Sequence, residues 1–413
     1  MSNIATPAFL FETCWEVCNK VGGIHTVITS KMPNEYAVYG ENIIYIGPDL
    51  AKDGGNPEFT EDKNLLQEWK TVTESEGLRI RIGHWNVAHS PIAILVDYTV
   101  FIPMKDKLLA SWWETYKLDS ITGEWEYIES VLFGYAAGKV IESYKNFYLH
   151  DEPIVAQFHE WQTGAGILYL NRACPKIATI FTTHATVLGR SVAGNGFPLY
   201  KSLGSFEPDT RARELGVMAK HSLEKISAQV ATAYTTVSKV TANECKVLLN
   251  NEPDAITPNG FALNHLPPIS KTAALNARQK LMKITEALTG NKCDDDTLFV
   301  AISGRYEFKN KGIDVFLDTL GKLNLRGGYK HNIIGFILVP NNNYGPRKCL
   351  VDRLNNLNEP IPDDRITTHS LNPDYYDSII DKTHQLQLWN NVGQNVNVIW
   401  APIYLSGNDG IFN

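Results

Sequence analysis

Gly22 and Gly23 stand together ahead of a helical run, with Lys20 just upstream, in the stretch Phe11-Glu12-Thr13-Cys14-Trp15-Glu16-Val17-Cys18-Asn19-Lys20-Val21-Gly22-Gly23-Ile24. Paired glycines let backbone N–H groups approach an anion at a helix N-terminus, and a nearby ammonium adds charge. The same residues also describe a tight turn beside a surface lysine. Short glycine motifs match by chance so often that the turn is the better reading of this stretch alone.

A second group, Gln157-Phe158-His159-Glu160-Trp161, closes a buried strand and precedes a helix beginning near Gly164. In open α/β sheets ligands bind beyond the carboxyl ends of strands, so polar residues there are placed to meet one. The pair His159 and Glu160 does not open a zinc-protease H-E-x-x-H, because Thr163 holds the last position. A third group runs from Ile180 through Thr182-Thr183-His184-Ala185-Thr186 to Arg190, again an apolar run giving way to polar residues. One histidine at such a place more often satisfies buried carbonyls than does chemistry. Two, at the ends of separate parallel strands, converge on one crevice. The fourth group, Gly304-Arg305-Tyr306-Glu307-Phe308-Lys309-Asn310-Lys311-Gly312, leaves a strand and opens a helix. The forked guanidinium of Arg305, the ammonium of Lys311 and the helix N–H groups suit a diphosphate, with a basic solvated loop as the plainer alternative.

Other chemistries find no residues. There is no G-x-x-x-x-G-K-[ST] and no G-x-S-x-G; Gly134 and Gly138 lie inside a helical stretch; Asp294-Asp295-Asp296 reads as a solvated turn. Lys and Arg number 38 against 45 Asp and Glu, a net charge of −7, with no dense basic run. Nucleic-acid and anionic-membrane binding are therefore not expected, and an anionic ligand must be held by a local cluster of cations. The six cysteines fit no C-x-x-C pair or zinc ribbon and read as reduced thiols of a cytoplasmic protein. The N-terminal residues show no basic region before an apolar stretch, so no secretion signal is expected, and no apolar run reaches the length of a membrane span.

The elements that must position these residues alternate. Apolar, β-rich runs at 42–47, 78–82, 92–96, 154–158, 177–181 and 231–237 are separated by helical patterns at 130–148, 211–230 and 239–249, a doubly wound α/β arrangement. A polar stretch with Pro267 and Pro268 and a helix over 273–289 reads as a link, and a second series follows with strands at 298–303, 332–339 and 395–400 and helices at 312–323 and 347–354. The 413 residues thus divide into a Rossmann-like domain at 1–265, a linker at 266–296 and the first part of a second Rossmann-like domain at 297–413.

Together these stretches resemble the glycogen synthases of glycosyltransferase family 3, the type of animals, fungi and some bacteria. FETCWEVCNKVGGIHTV, FHEWQTGAGI, IFTTHATVLGR, TTVSKVTANE, the Pro258-Asn259-Gly260 turn and GRYEFKNKG occur in family order over nearly the whole chain. Lys20 stands where the fungal and animal proteins usually carry Arg, which brings this chain nearer the bacterial version. The resemblance implies a GT-B fold, two Rossmann-like domains facing a cleft, with the second incomplete. It implies retaining transfer of glucose from UDP-glucose, or alternatively ADP-glucose, to the 4-OH at the non-reducing end of glycogen or another α-1,4-glucan, with no metal and no cofactor. By position it gives Arg305 and Lys311 the diphosphate from the second domain, and Lys20 with Gly22 and Gly23 the same group from the first. It places His184 beside the transferred glucose and has Glu160, His159 and Asn259 lining the same cleft. His184 and Glu160 are the catalytic candidates, and Arg190 is a further binding candidate. A cytoplasmic location follows, and homo-oligomerisation is left open. The family's Glu-Pro-Trp-Gly-Tyr-Thr-Pro segment is not in this sequence, whose last residues read as the stretch just upstream of it. The expectation is a C-terminally truncated member whose glucose 6-phosphate control cannot be read. The alternatives are an inactive glucan- or nucleotide-binding fragment and a GT-B glycosyltransferase with another donor.

Overall fold

A computed structural model describes residues 7–51, 55–261, 263, 268–372, 377–405 and 409–412. The chain divides into two compact units, Met1–Val192 with Phe197–Leu266, and Ala193–Gly196 with Pro267–Asn413. The boundary expected at 265 lies outside the described residues.

The first unit is built on strands β1 (Phe9–Thr13), β2 (Ile43–Pro48), β3 (Phe59–Glu61), β4 (Ile80–Trp85), β5 (Ile92–Val96), β6 (Ile154–His159), β7 (Ala178–Thr183), β8 (Ala233–Thr236) and β9 (Ala255–Ile256). They form one nine-stranded sheet in the order β3-β4-β5-β2-β1-β6-β7-β8-β9. From β5 to β9 the pairings are parallel. Strand β1, in the middle, is buried along its whole length. Its side chains alternate between two cores, as a pleated strand requires. Phe9 and Phe11 pack with Phe133 and Val140 of the helix Trp125–Tyr144, whereas Leu10 packs with Ile28 and Met32 of the helix Gly23–Tyr39. Glu12 therefore faces that second helix. In register, Leu10 pairs with Val155 and Glu12 with Gln157, which puts Gln157 and His159 of β6 on the same face.

Two expectations change here. The run at 78–82 becomes β4, antiparallel to β5, because the few residues between Trp85 and Ile92 cannot make the crossover of a dozen or more that a parallel pair needs. The helix expected over 211–230 is two, Pro208–Glu214 and Met218–Val230. Gly216 between them sits at φ +69, a left-handed conformation that stops a helix.

In the second unit β10 (Leu298–Ser303), β11 (Ile333–Leu338) and β14 (Val396–Ala401) form a parallel sheet in the order β10-β11-β14, while β12 (Asn343–Pro346) and β13 (His369–Leu371) pair as an antiparallel ribbon. Ile313, Leu317 and Leu320 of the helix Ile313–Arg326 pack with Ile337, Val398 and Trp400. The stretch read as a linker carries the helix Lys271–Thr289, which buries Ile284, Ala287 and Leu288 against Ile334, Phe336 and Ile399. That apolar stripe makes it a layer of the second unit instead of a tether. Among the described residues no helix is long and apolar enough to cross a membrane. All six cysteines are free thiols.

Candidate active site

Strands β1 and β6 are neighbours, but β2 lies on the far side of β1 and β7 on the far side of β6. Where strand order reverses in this way, the helices diverge and a crevice opens at the carboxyl ends. Glu12 and His159 stand at those ends.

A carboxylate inside a central strand costs several kcal/mol unless it is paired. Glu12 is fully buried, and its Oε1 lies 2.8 Å from Lys31 Nζ and 2.9 Å from His159 Nε2. Lys31 comes from the helix facing β1, and its ammonium also reaches Glu35 Oε1 at 2.8 Å and Gln157 Oε1 at 3.2 Å. Glu35 in turn accepts from the Tyr45 hydroxyl. Burial disfavours the Lys31 charge, yet Glu12 and Glu35 outweigh it and hold its pKa above the usual lysine value. Burial, with the charge of Glu12, pushes the Glu35 carboxyl up to about 7 against the pull of Lys31. His159 Nδ1 lies 3.0 Å from His184 Nε2, at the end of β7. Burial pushes both histidines down, reinforced for each by Lys31, and His184 falls to about 3 with His159 also against it. Burial thus favours the neutral form of both rings. Histidines and carboxylate form a hydrogen-bonded row, and among the described residues no group of His, Cys, Asp or Glu is placed to hold a metal ion.

Glu160 follows His159 with φ +66 and ψ 163, a backbone region used almost only by glycine and costing about 1–3 kcal/mol for another residue. Its surroundings hold it there. The Glu160 N–H donates to the Thr182 carbonyl, its carbonyl accepts from Thr163, and Oε1 accepts from the backbone N–H of His184 (2.8 Å) and Ala185 (3.1 Å). Burial pushes its pKa up to about 7 despite the opposing charge of Arg190 and those two N–H groups. The loop carrying His184 is held further on: the Thr186 hydroxyl donates to Glu244 Oε2 (2.7 Å), and the Val187 N–H donates to Glu224 Oε2 (2.9 Å). Buried Glu224 is held well above the usual carboxylate range by burial and by Glu160.

The structure thus brings His159, His184 and Glu160 together, with Arg190 on the helix Val187–Gly194 acting electrostatically on Glu160. It does not leave the Gly22-Gly23 turn open. Glu16 Oε2 accepts from the N–H of Gly22 (3.1 Å) and of His25 (2.8 Å), so the chain's own carboxylate caps the helix where an anion was expected. Lys20 is exposed beside that turn, and Asn259 is exposed in the loop after β9. Sequence reasoning missed the roles of Glu12 and Lys31. Their signals are a Glu ending the apolar run Phe9-Leu10-Phe11, and the charged pair Lys31 and Glu35 on the same helical stripe as Ile28 and Met32.

In the second unit the carboxyl ends of β10, β11 and β14 bound a cavity of about 670 Å³, lined among others by Arg305, Asn341, Asn343, His369 and Asp409. Its size falls within the range of small-molecule pockets. Arg305 pairs with Glu307 at 3.1 Å and stays partly exposed. Lys311 folds back over the end of β10, where a Cβ on Gly304 would lie 3.6 Å from its Cδ. His369 is buried and bonds the Asp409 carbonyl (3.1 Å) and the Thr368 hydroxyl (2.9 Å). The rule that found His159, polar residues following a buried strand, also marks Asn341 to Asn343 after β11.

A family model described as glycogen synthase matches residues 12–346. The chain is 31% identical to the liver glycogen [starch] synthase of Mus musculus over 458 aligned positions, covering 96% of this chain and 64% of the mouse protein. It is 29% identical to glycogen [starch] synthase isoform 2 of Saccharomyces cerevisiae, covering 97% of this chain and 68% of the yeast protein. The chain thus spans a little under two thirds of the length of the mouse relative. Among solved structures, the catalytic domain of Starch Synthase IV from Arabidopsis thaliana bound to ADP and acarbose matches with a TM-score of 0.50 at 13% identity, covering 98% of this chain and 76% of that one. This is a likeness of fold, and the fold is the GT-B type expected from the sequence.

Proposed function

From the premise that this chain belongs to the glycogen synthase family, we propose that it transfers a glucosyl unit with retention from UDP-glucose to the 4-OH at the non-reducing end of an α-1,4-glucan. The observation that carries this reading is the meeting of Glu12, His159, Glu160 and His184 at the β1/β6 switch point, from three separate stretches of sequence. We assign the donor nucleotide to the second unit, 267–413, and the acceptor side to the first.

In this reading the C1–O bond to the diphosphate breaks as the bond from C1 to the acceptor O4 forms on the same face of the sugar. The 4-OH proton passes to the leaving phosphate oxygen, giving UDP and a glucan one residue longer. Negative charge grows on the diphosphate, and Arg305 and Lys311, with Lys20 as a further cation, offset it. Positive charge grows at C1. A neutral His184 adds none of its own, and Glu160, with its pKa near neutrality, supplies a partial negative charge. A chain of net charge −7 must gather its cations locally for such a ligand. Free thiols at all six cysteines support a cytoplasmic setting.

The test is incorporation of radiolabelled sugar into glycogen from UDP-glucose, ADP-glucose and GDP-mannose in parallel, with UDP binding measured on the same preparation. Incorporation from UDP-glucose is expected. Incorporation from another donor alone would move the specificity, UDP binding without incorporation would make this chain a binding module, and neither binding nor incorporation would remove the reading.

A further inference from the structure

We propose that Glu12 and His159 are positioning residues that fix the tautomer of His184, so that His184 offers a bare Nδ1 as a hydrogen-bond acceptor for a sugar hydroxyl. The identity of the sugar rests on the proposed function; the tautomer does not.

The assignment follows from the order of partners. Each nitrogen of His159 makes one contact, Nε2 to Glu12 Oε1 at 2.9 Å and Nδ1 to His184 Nε2 at 3.0 Å. A neutral imidazole donates from one nitrogen and accepts at the other, so one end of the row decides the rest. That end is Lys31. Its ammonium, a donor only, bonds the same Oε1 of Glu12 at 2.8 Å, so that oxygen serves as an acceptor in the row. His159 must then carry its proton on Nε2, leaving Nδ1 to accept. His184 can fill that bond only with an Nε2–H. A doubly protonated His159 would break the row, but full burial and the nearby Lys31 charge oppose it. Among the described residues no hydrogen bond is made to His184 Nδ1, and the residue is only half-buried. The backbone is fixed independently, through the His184 N–H on Glu160.

A role in packing alone explains the row poorly. Glu12 Oε2 is buried with no hydrogen-bond partner, and a buried ion pair is often replaceable by apolar residues at no loss of stability. Breaches of that kind concentrate at functional sites.

The experiment is long-range ¹H–¹⁵N correlation on the full chain labelled at histidine, near neutral pH, with the His184 signals identified by their loss in His184→Gln. The expected result is a neutral His184 with Nε2–H and unprotonated Nδ1. Glu12→Gln keeps the shape but removes the charge that orders the row, so His184 is expected to shift toward Nδ1–H or a mixture. With glucosyl transfer as the second readout, kcat should fall by about tenfold or more while donor KM changes by less than about threefold, the split of a group acting after binding. An Nδ1–H or imidazolium His184 in the parent chain overturns the proposal, as does a His184 spectrum unchanged by Glu12→Gln. Should that variant fail to fold, the parent spectrum alone decides. An Nε2–H tautomer in a chain that transfers no glucose keeps the row and rejects the glucan synthase reading; transfer by a chain with the other tautomer does the reverse.

Discussion

Glu160 meets His184 through the histidine's backbone and not its ring, the Glu160 carboxylate accepting the N–H groups of His184 and Ala185. Their substitutions should therefore separate. His184→Ala is expected to lower kcat by about a hundredfold with little change in donor affinity. Arg305→Ala and Lys311→Ala should each weaken UDP binding by tenfold or more, a charge-assisted bond being worth about 1.5–3 kcal/mol. Steady-state kinetics and calorimetric titration with UDP check the two, and the opposite pattern would exchange the roles. Glu160 also carries a pH signature. Folded Glu160 holds its proton up to about pH 7, whereas an ordinary glutamate releases it near 4.5. The folded state thus binds more protons in that interval, and the stability from this group is full below about 4.5 and lost as pH rises through about 7. Thermal melts of the parent and of Glu160→Gln should show the variant gaining on the parent from acid to mildly alkaline pH, and parallel curves would refute the raised pKa. His159, His184 and Glu160 were legible as polar residues ending apolar runs. Glu12 also ends such a run, but its role and that of Lys31 were not legible, because they consist in contacts with residues far along the chain.

Glu16 shows how an element can satisfy itself. The N-terminal N–H groups of the helix Gly23–Tyr39 attract an anion, and the loop before it supplies one at 2.8 and 3.1 Å. Glu16→Ala should cost about 1 kcal/mol as a lost cap. It should also strengthen UDP binding if the diphosphate then takes the vacated N–H groups. Weaker or equal binding in titration calorimetry would show that the carboxylate and the ligand do not compete. The glycine pair was readable from spacing, but its occupant depended on the path of the chain over Glu16 to Gly22. The same limit applies to β4, whose apolar run was visible while its antiparallel sense came from a short connection.

Each unit has its own buried core: Phe11, Phe133 and Phe158 in the first, Ile337, Val398 and Trp400 in the second. Separate cores can unfold as separate cooperative steps. Scanning calorimetry is expected to resolve two transitions. Phe133→Ala should lower only the first unit's by roughly 3–5 kcal/mol, and Ile337→Ala only the second's by roughly 2–5 kcal/mol; a single transition moved by both would show one cooperative body. The sequence by itself determined the alternation of strands and helices and the histidines at strand ends, because hydrophobic period and turn residues act over a few positions, and its motif stretches carried the resemblance to the family. Only the tertiary structure decided that Glu12 meets His159 across 147 residues, that Lys31 bonds the same carboxylate oxygen, and that the helix Lys271–Thr289 is a layer of the second unit. Such contacts follow from strand order and from which face a helix covers, and these are settled by global burial, which no local pattern encodes.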